Sequence, residues 1–493
     1  MIRTPRTRAA SAPASQSSPA VFAERSAGVL LPLASLPGRH GVGSLGAPAE
    51  SFVQWLASAG AGWWQMLPIG PLGEGDSPYS STSSFAIEPG YLCLDRLVER
   101  GLLERRDVAA PKALGSGPAQ FATAAKLKQP LFALAHERWR RRRGASTAAY
   151  RGFREREGDW LDDWLRFSTG AIDGSQADIA AFVQFELDRQ WRELRAAARK
   201  SAVRLMGDLP IFVGAESSDV SGRPDLFRLD AQGAPRLLSG SPPDSYSDDG
   251  QLWGHPHYRW SRHGAENYDW WRRRFGSLLA RFDALRVDHF IGFHHAWEVP
   301  ASARTARHGK WGRTPGKAIL QHVLDDRGEL PLVAEDLGVV TPPVRALRDH
   351  FGLPGMRILQ NGFGGPGDYD RPHAYPANSV AYTGTHDNDT LVGSWRKLRG
   401  DARQRALAYL GLPQRTPVGE QVHWRLIAAL AASPANTVIA PLQDLLGLGS
   451  DARLNTPGVP RGNWRWRVDA AQLNATLARR FQALLDVTSR LSV

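Results

Sequence analysis

Apolar positions follow two rhythms along the chain. Short continuous apolar runs, bounded by Gly, Pro or charged residues, recur at 29–32, 63–69, 203–208, 284–288, 332–336, 356–360, 380–383 and 437–440. Runs of this length read as strands buried on both faces. Between them, apolar residues return every three or four positions. Phe52, Trp55 and Leu56 do so, as do Val183, Leu187, Leu194 and Ala198, and a closing segment carries Leu473, Leu477, Phe481, Leu484 and Leu485. These are the stripes of amphipathic helices. Strand and helix in alternation predict a parallel sheet with crossover connections, and about eight strands predict an α/β fold of the (β/α)8 TIM-barrel type. No separate C-terminal β-domain is expected.

The pattern also sets the expected domain boundaries. Residues 1–27 carry Arg3, Arg6 and Arg8 among many Ala, Ser and Pro, and they read as a disordered basic tail. The barrel is expected over 28–493. A charged, helical insertion interrupts the alternation at about 92–180. The insertion holds Arg138-Trp139-Arg140-Arg141-Arg142-Arg143, which reads as a solvated helix face.

Composition changes this picture little. The 493 residues carry a formal charge of +12, and only seven of the 61 basic residues are Lys. An Arg excess spread along the whole chain reads as base composition, so no nucleic-acid partner is expected. Cys93 is the single cysteine, which excludes an internal disulfide and any cysteine-based zinc site. No apolar run approaches the length of a membrane span. The expectation is a soluble cytoplasmic protein without a membrane partner, monomeric or weakly self-associating.

Candidate chemistry lies where strands end, because a barrel of this type builds its site from the loops at that face. Asp208, Asp288, the pair Glu335-Asp336, and Asp387 in Gly384-Thr385-His386-Asp387-Asn388-Asp389 all follow apolar strands. Any one such acid reads equally well as the cap of the next helix. Several in one barrel point to a shared mouth, where convergent carboxylates suit glycosidic-bond chemistry or a metal. The close pairs His255/His257 and His294/His295 lack the i, i+4 spacing of zinc helices, so no metal is expected. Arg286, two residues before Asp288, shares its strand face and supplies a fixed positive charge that keeps the acid ionised. Glu335 needs a raised pKa to act as an acid near neutrality.

A set of motifs extends this reading. Leu36-Pro37-Gly38, Gly75-Asp76-Ser77-Pro78-Tyr79, Gly207-Asp208-Leu209-Pro210, Pro242-Pro243-Asp244, Gly250-Gln251-Leu252-Trp253-Gly254, Arg286-Val287-Asp288-His289-Phe290, Ala334-Glu335-Asp336-Leu337-Gly338, Phe351-Gly352-Leu353-Pro354-Gly355-Met356, Thr385-His386-Asp387-Asn388-Asp389-Thr390, Pro441-Leu442-Gln443-Asp444 and Asn455-Thr456-Pro457-Gly458 occur in that order. Together they resemble the 4-α-glucanotransferases of the amylomaltase or disproportionating type, glycoside hydrolase family 77, related to the α-amylase superfamily. The resemblance implies transfer of an α-1,4-glucan segment to the 4-hydroxyl of an acceptor glucan or glucose, by a retaining mechanism without a cofactor. The alternatives are an α-1,4-glucan hydrolase on the same scaffold and a non-catalytic glucan- or nucleic-acid-binding protein. The resemblance further implies Asp288 as nucleophile, Glu335 as general acid/base and Asp387 as the third, transition-state-stabilising carboxylate. Substrate contacts are expected from Tyr79, Asp208, Gln251, Trp253, Arg286, His289, His386, Asn463 and Trp464.

The chain departs from the family pattern at several loop positions. In the substrate-covering loop that the resemblance implies at about 242–258, Ser245 stands where the first of two aromatics is usual, leaving Tyr246, and His255 stands where many relatives have Asn. Asn361-Gly362 precedes Phe363 where an aromatic usually follows Gln360. The string Gly362-Phe363-Gly364-Gly365-Pro366-Gly367 matches a dinucleotide-binding pattern, but Pro366 and the residues after it deny it the helix such a site requires.

Overall fold

A computed structural model describes residues 18–243, 247–338, 340–364, 370–413 and 421–492. Eight parallel strands close into a barrel: β1 (Ser26–Leu30), β2 (Trp63–Gln65), β3 (Arg204–Leu209), β6 (Ala284–Val287), β9 (Leu332–Ala334), β10 (Gly355–Ile358), β11 (Ser379–Tyr382) and β12 (Thr437–Pro441). Closure comes from β1 pairing with both β2 and β12. No strand follows β12 among the described residues.

Side-chain alternation divides each strand between two cores. Leu30, Trp63, Met206, Ala284, Val333, Met356, Ile358, Val380, Tyr382 and Ile439 fill the barrel interior. Their neighbours Val29, Trp64, Leu205, Leu285, Leu332, Ala381 and Val438 join the larger core between strands and helices. Interior parity continues upward from Met206 to Asp208, from Ala284 through Arg286 to Asp288, and from Val333 to Glu335. A period-2 strand thus aims these side chains into the barrel mouth.

The chain is ordered earlier than residue 28. Phe22 is buried and its ring stacks on Trp63 at 5.4 Å, plugging the barrel where β1 starts. One buried aromatic in an Ala/Ser/Pro-rich stretch carries no periodic signal, so the expectation of a disordered tail reaching residue 27 fails at 18–27. The three tail arginines lie outside the described residues.

Between β2 and β3 the chain runs through the helices Leu94–Glu99, Phe121–Arg141, Ala148–Thr169 and Ser175–Lys200. The expected covering loop is in part a strand. β5 (Gln251–Pro256) joins β4 (Leu237–Ser241), β7 (His295–Pro300) and β8 (Lys310–Arg313) in a four-stranded antiparallel sheet, order β5-β4-β7-β8. Ser245 and Tyr246 lie outside the described residues. So does 365–369, which includes the second half of the glycine string, while Gly362 and Phe363 sit in a single 3-10 turn, Leu359–Phe363. Among the described residues no helix is long and apolar enough to cross a membrane.

Candidate active site

Asp288 and Glu335 each follow the last residue of a parallel strand, and the ladder itself fixes them. Asp288 N–H donates to Leu209 O at 3.0 Å, and Glu335 N–H donates to Val287 O at 3.1 Å. The two acids therefore stand on neighbouring strands at the same end. Arg286, buried in the interior below them, links the acids of β3 and β6. Its Nη1 lies 2.8 Å from Asp208 Oδ2 and 3.0 Å from Asp288 Oδ1. The guanidinium is thus shared between two carboxylates, where the sequence pointed to Asp288 alone. Burial would favour loss of its proton, but Asp208, Asp288 and Glu335 around it keep it firmly charged.

Glu335 is shaped by its surroundings in the opposite sense. Burial, together with the negative charge of Asp288, raises its pKa to about 8, against the pull of Arg286 and one backbone hydrogen bond. That bond comes from His289 N–H to Glu335 Oε2 at 2.6 Å. His289 takes a left-handed conformation, φ 48°, which turns the backbone sharply after Asp288. A β-carbon is strained there, and such strain is held only where the surroundings enforce it. The His289 ring is half-buried and desolvation lowers its pKa to about 4, so it is neutral. It meets Trp253 edge-to-face at 4.8 Å.

Asp387 enters from the loop after β11. Burial would raise its pKa, but His386 and an Asn455 hydrogen bond outweigh it and hold the carboxyl well below the usual range. Asn455 Nδ2 donates to Oδ1 at 2.6 Å, and His386 Nε2 is 3.2 Å from Oδ2. The His386 ring stacks on Tyr79 at 5.0 Å, and the Tyr79 hydroxyl donates to Asp208 Oδ2 at 2.8 Å. A continuous polar chain therefore runs from Asp387 through His386, Tyr79, Asp208 and Arg286 to Asp288. Asp208, buried at the centre, is raised to about 6 by desolvation against the opposing charge of Arg286.

The remaining expected contacts divide. Gln251 and Trp253 lie on β5, two residues apart and on one face, with Trp253 Nε1 donating to Gln251 Oε1 at 3.2 Å. Trp464 is only 9% exposed and packs 5.8 Å from both Tyr79 and His386, so it backs those rings more than it offers a free face. The Asn463 amide is engaged inside its own loop, accepting from Thr456 N–H at 3.0 Å and donating to Val459 O at 2.7 Å.

Asp336, also a strand-end acid, faces away from the mouth. Its parity follows Leu332 and Ala334, and its carboxylate meets Arg348, Arg357 and the Met356 N–H outside the barrel. Reasoning from strand ends missed Asn455, whose approach to Asp387 depends on a contact 68 residues apart. Only its place in Asn455-Thr456-Pro457-Gly458 marked it.

A closed parallel barrel with acids converging at the carboxyl ends of its strands defines a class: barrel enzymes that break and remake glycosidic bonds. The glycoside hydrolase family 77 model, described as 4-alpha-glucanotransferase, matches residues 31–175 and 170–473. The chain is 39% identical to a 4-alpha-glucanotransferase of Thermus thermophilus over 95% of this chain and 99% of that one. It is 38% identical to one of Synechocystis, covering 95% and 98% respectively. Among solved structures, an amylomaltase from Streptococcus agalactiae in complex with acarbose superposes with a TM-score of 0.90 at 30% identity, over 95% of this chain and all of that one. The chain belongs to the 4-alpha-glucanotransferase family.

Proposed function

We propose that this protein transfers segments of α-1,4-glucans between 4-hydroxyl groups through a covalent glucosyl intermediate on Asp288. One observation carries the reading: Asp288 is paired with a buried, fixed positive charge, while Glu335 on the next strand has its pKa raised to about 8. A carboxylate beside a fixed positive charge and a neighbouring carboxyl group that keeps its proton are what nucleophile and acid require.

Asp288 attacks the anomeric carbon, and Glu335 gives its proton to the departing 4-oxygen. The new glucan end leaves neutral, and Glu335 is then a carboxylate. In the second half, Glu335 takes the proton of an acceptor 4-hydroxyl as that oxygen displaces Asp288. One bond of each kind is broken and made, with no net use of water. Asp387, ionised and held by Asn455 and His386, binds sugar hydroxyls as the ring flattens in the transition state. Arg286 pairs with Asp288 and holds it in place. Gln251, Trp253 and Tyr79 line the approach. The setting is the cytoplasm, which a single buried cysteine suits.

Incubation with maltotriose tests the reading. Longer oligomers must appear together with glucose, and their summed reducing ends must stay constant. Glucose and maltose alone, with rising reducing ends, would establish a hydrolase instead.

A further inference from the structure

Asp387 sits on a loop, not a strand end, and something outside that loop must fix it. The loop runs from Thr383 to Leu391, between β11 and the helix Leu391–Lys397. One carboxylate meets both of its ends. Asp444, 1% exposed in the short helix Leu442–Leu445 after β12, accepts from Thr383 Oγ1 at 2.5 Å and from Leu391 N–H at 2.6 Å. Its neighbour Gln443 reaches the other way. Gln443 Nε2 donates to Ala452 O at 3.2 Å, at the start of the segment that carries Arg453 and Asn455.

That segment closes on Asp387 directly. Arg453 donates to Asp387 O and, at 2.6 Å, to Asn455 O. Asn455 N–H donates to His386 O at 3.1 Å while its amide holds the Asp387 carboxylate. Both loops are thus referenced to one dipeptide on the last barrel strand's following helix.

We infer that Gln443-Asp444 is a two-sided clasp that sets the register between Asn455 and the Asp387 carboxylate, making Asp444 a positioning residue for transfer. The inference rests on the role proposed for Asp387. Its physical basis is that a buried carboxylate accepting two short hydrogen bonds leaves two unsatisfied donors when removed, and the loop ends then move to find other partners. A misplacement of about 1 Å is worth on the order of 100-fold in rate.

The test compares Asp444→Ala, Asp444→Asn and Thr383→Val with Arg490→Ala, a destabilising variant at the opposite barrel end. Initial rates of maltotriose disproportionation are expressed per folded enzyme, with the folded fraction taken from calorimetric enthalpy. Asp444→Ala is expected to lower kcat by about 10- to 100-fold with KM changed less than about threefold. Asn at 444 can accept from Leu391 and donate to Thr383, so it should recover kcat to within about threefold of the wild type. Thr383→Val, which removes one contact alone, should fall between, and it keeps the test decisive if Asp444→Ala does not fold. The inference is overturned if Thr383→Val and Asp444→Ala keep wild-type kcat, or if Arg490→Ala loses kcat per folded enzyme as they do. If Asp387→Asn itself retains activity, the proposed role of Asp387 fails, and the clasp falls with it.

Discussion

At the residue scale, neighbouring strand-end acids have different tasks because their environments differ. Parity separates Glu335, aimed into the mouth, from Asp336, aimed at Arg348 and Arg357. Both were visible as strand-end acids, but only the three-dimensional partners separate Glu335, for which the chemistry is proposed, from Asp336, tied to two arginines. Glu335 has a cost attached. Folding raises its pKa from 4.5 to about 8, so the folded state binds that proton more tightly than the unfolded chain. Its contribution to stability is therefore fully present below about pH 4 and is lost as pH rises through about 8. Glu335→Gln should melt above the wild type at pH 9, with the gap closing near pH 4, while its activity falls by at least about 1000-fold. Scanning calorimetry across that range checks the sign; an equal gap at both pH values would contradict it. In the wild type, kcat should decline as pH rises past about 8, where Glu335 loses the proton it donates.

At the element scale, the barrel strands were legible and the antiparallel sheet was not. Barrel strands are covered on both faces, so they read as continuous apolar runs. Strands such as Gln251–Pro256, His295–Pro300 and Lys310–Arg313 mix Gly, Pro, His and charged residues because the sheet is half exposed. Their pairing supplies what composition lacks. β5 nevertheless bears on the site, since its Trp253 packs on His289 beside Glu335. Trp253→Ala should raise KM for maltotriose about tenfold or more while changing kcat less, as expected when a contact is made equally in ground and transition states. A fall in kcat with unchanged KM would instead place the ring in the chemistry. The clasp at Gln443-Asp444 was illegible for a related reason. An acid's role there is defined by the two loop ends it reaches, more than 50 residues away along the chain.

At the scale of the whole molecule, the barrel separates stability from chemistry by its two ends. The floor is tied by Arg490, fully buried, whose guanidinium donates to the carbonyls of Ser26, Ala431, Ser433, Ala435 and Asn436. It bridges the starts of β1 and β12, where the barrel closes. Arg490→Ala removes all five of these hydrogen bonds, leaving Ala431 and Ser433 with Arg25 and Asn436 with the Ser26 N–H as donors, and should cost roughly 3 kcal/mol or more of stability, with kcat per folded enzyme unchanged. The net charge of +12 has no counterpart in a neutral glucan. KM for maltotriose should accordingly change less than about twofold between roughly 0.01 M and 1 M salt, a range over which exposed charges are progressively screened.

The central claim is that a glucosyl group resides on Asp288 between the two halves of transfer. Its most direct test is mass spectrometry of peptides from enzyme quenched during turnover of a slow fluorinated α-glucosyl donor. The account predicts one glycosylated peptide, with the sugar on Asp288, and no such adduct in Asp288→Asn. A sugar found on Glu335 or Asp387, or full transfer activity in Asp288→Asn, would contradict it.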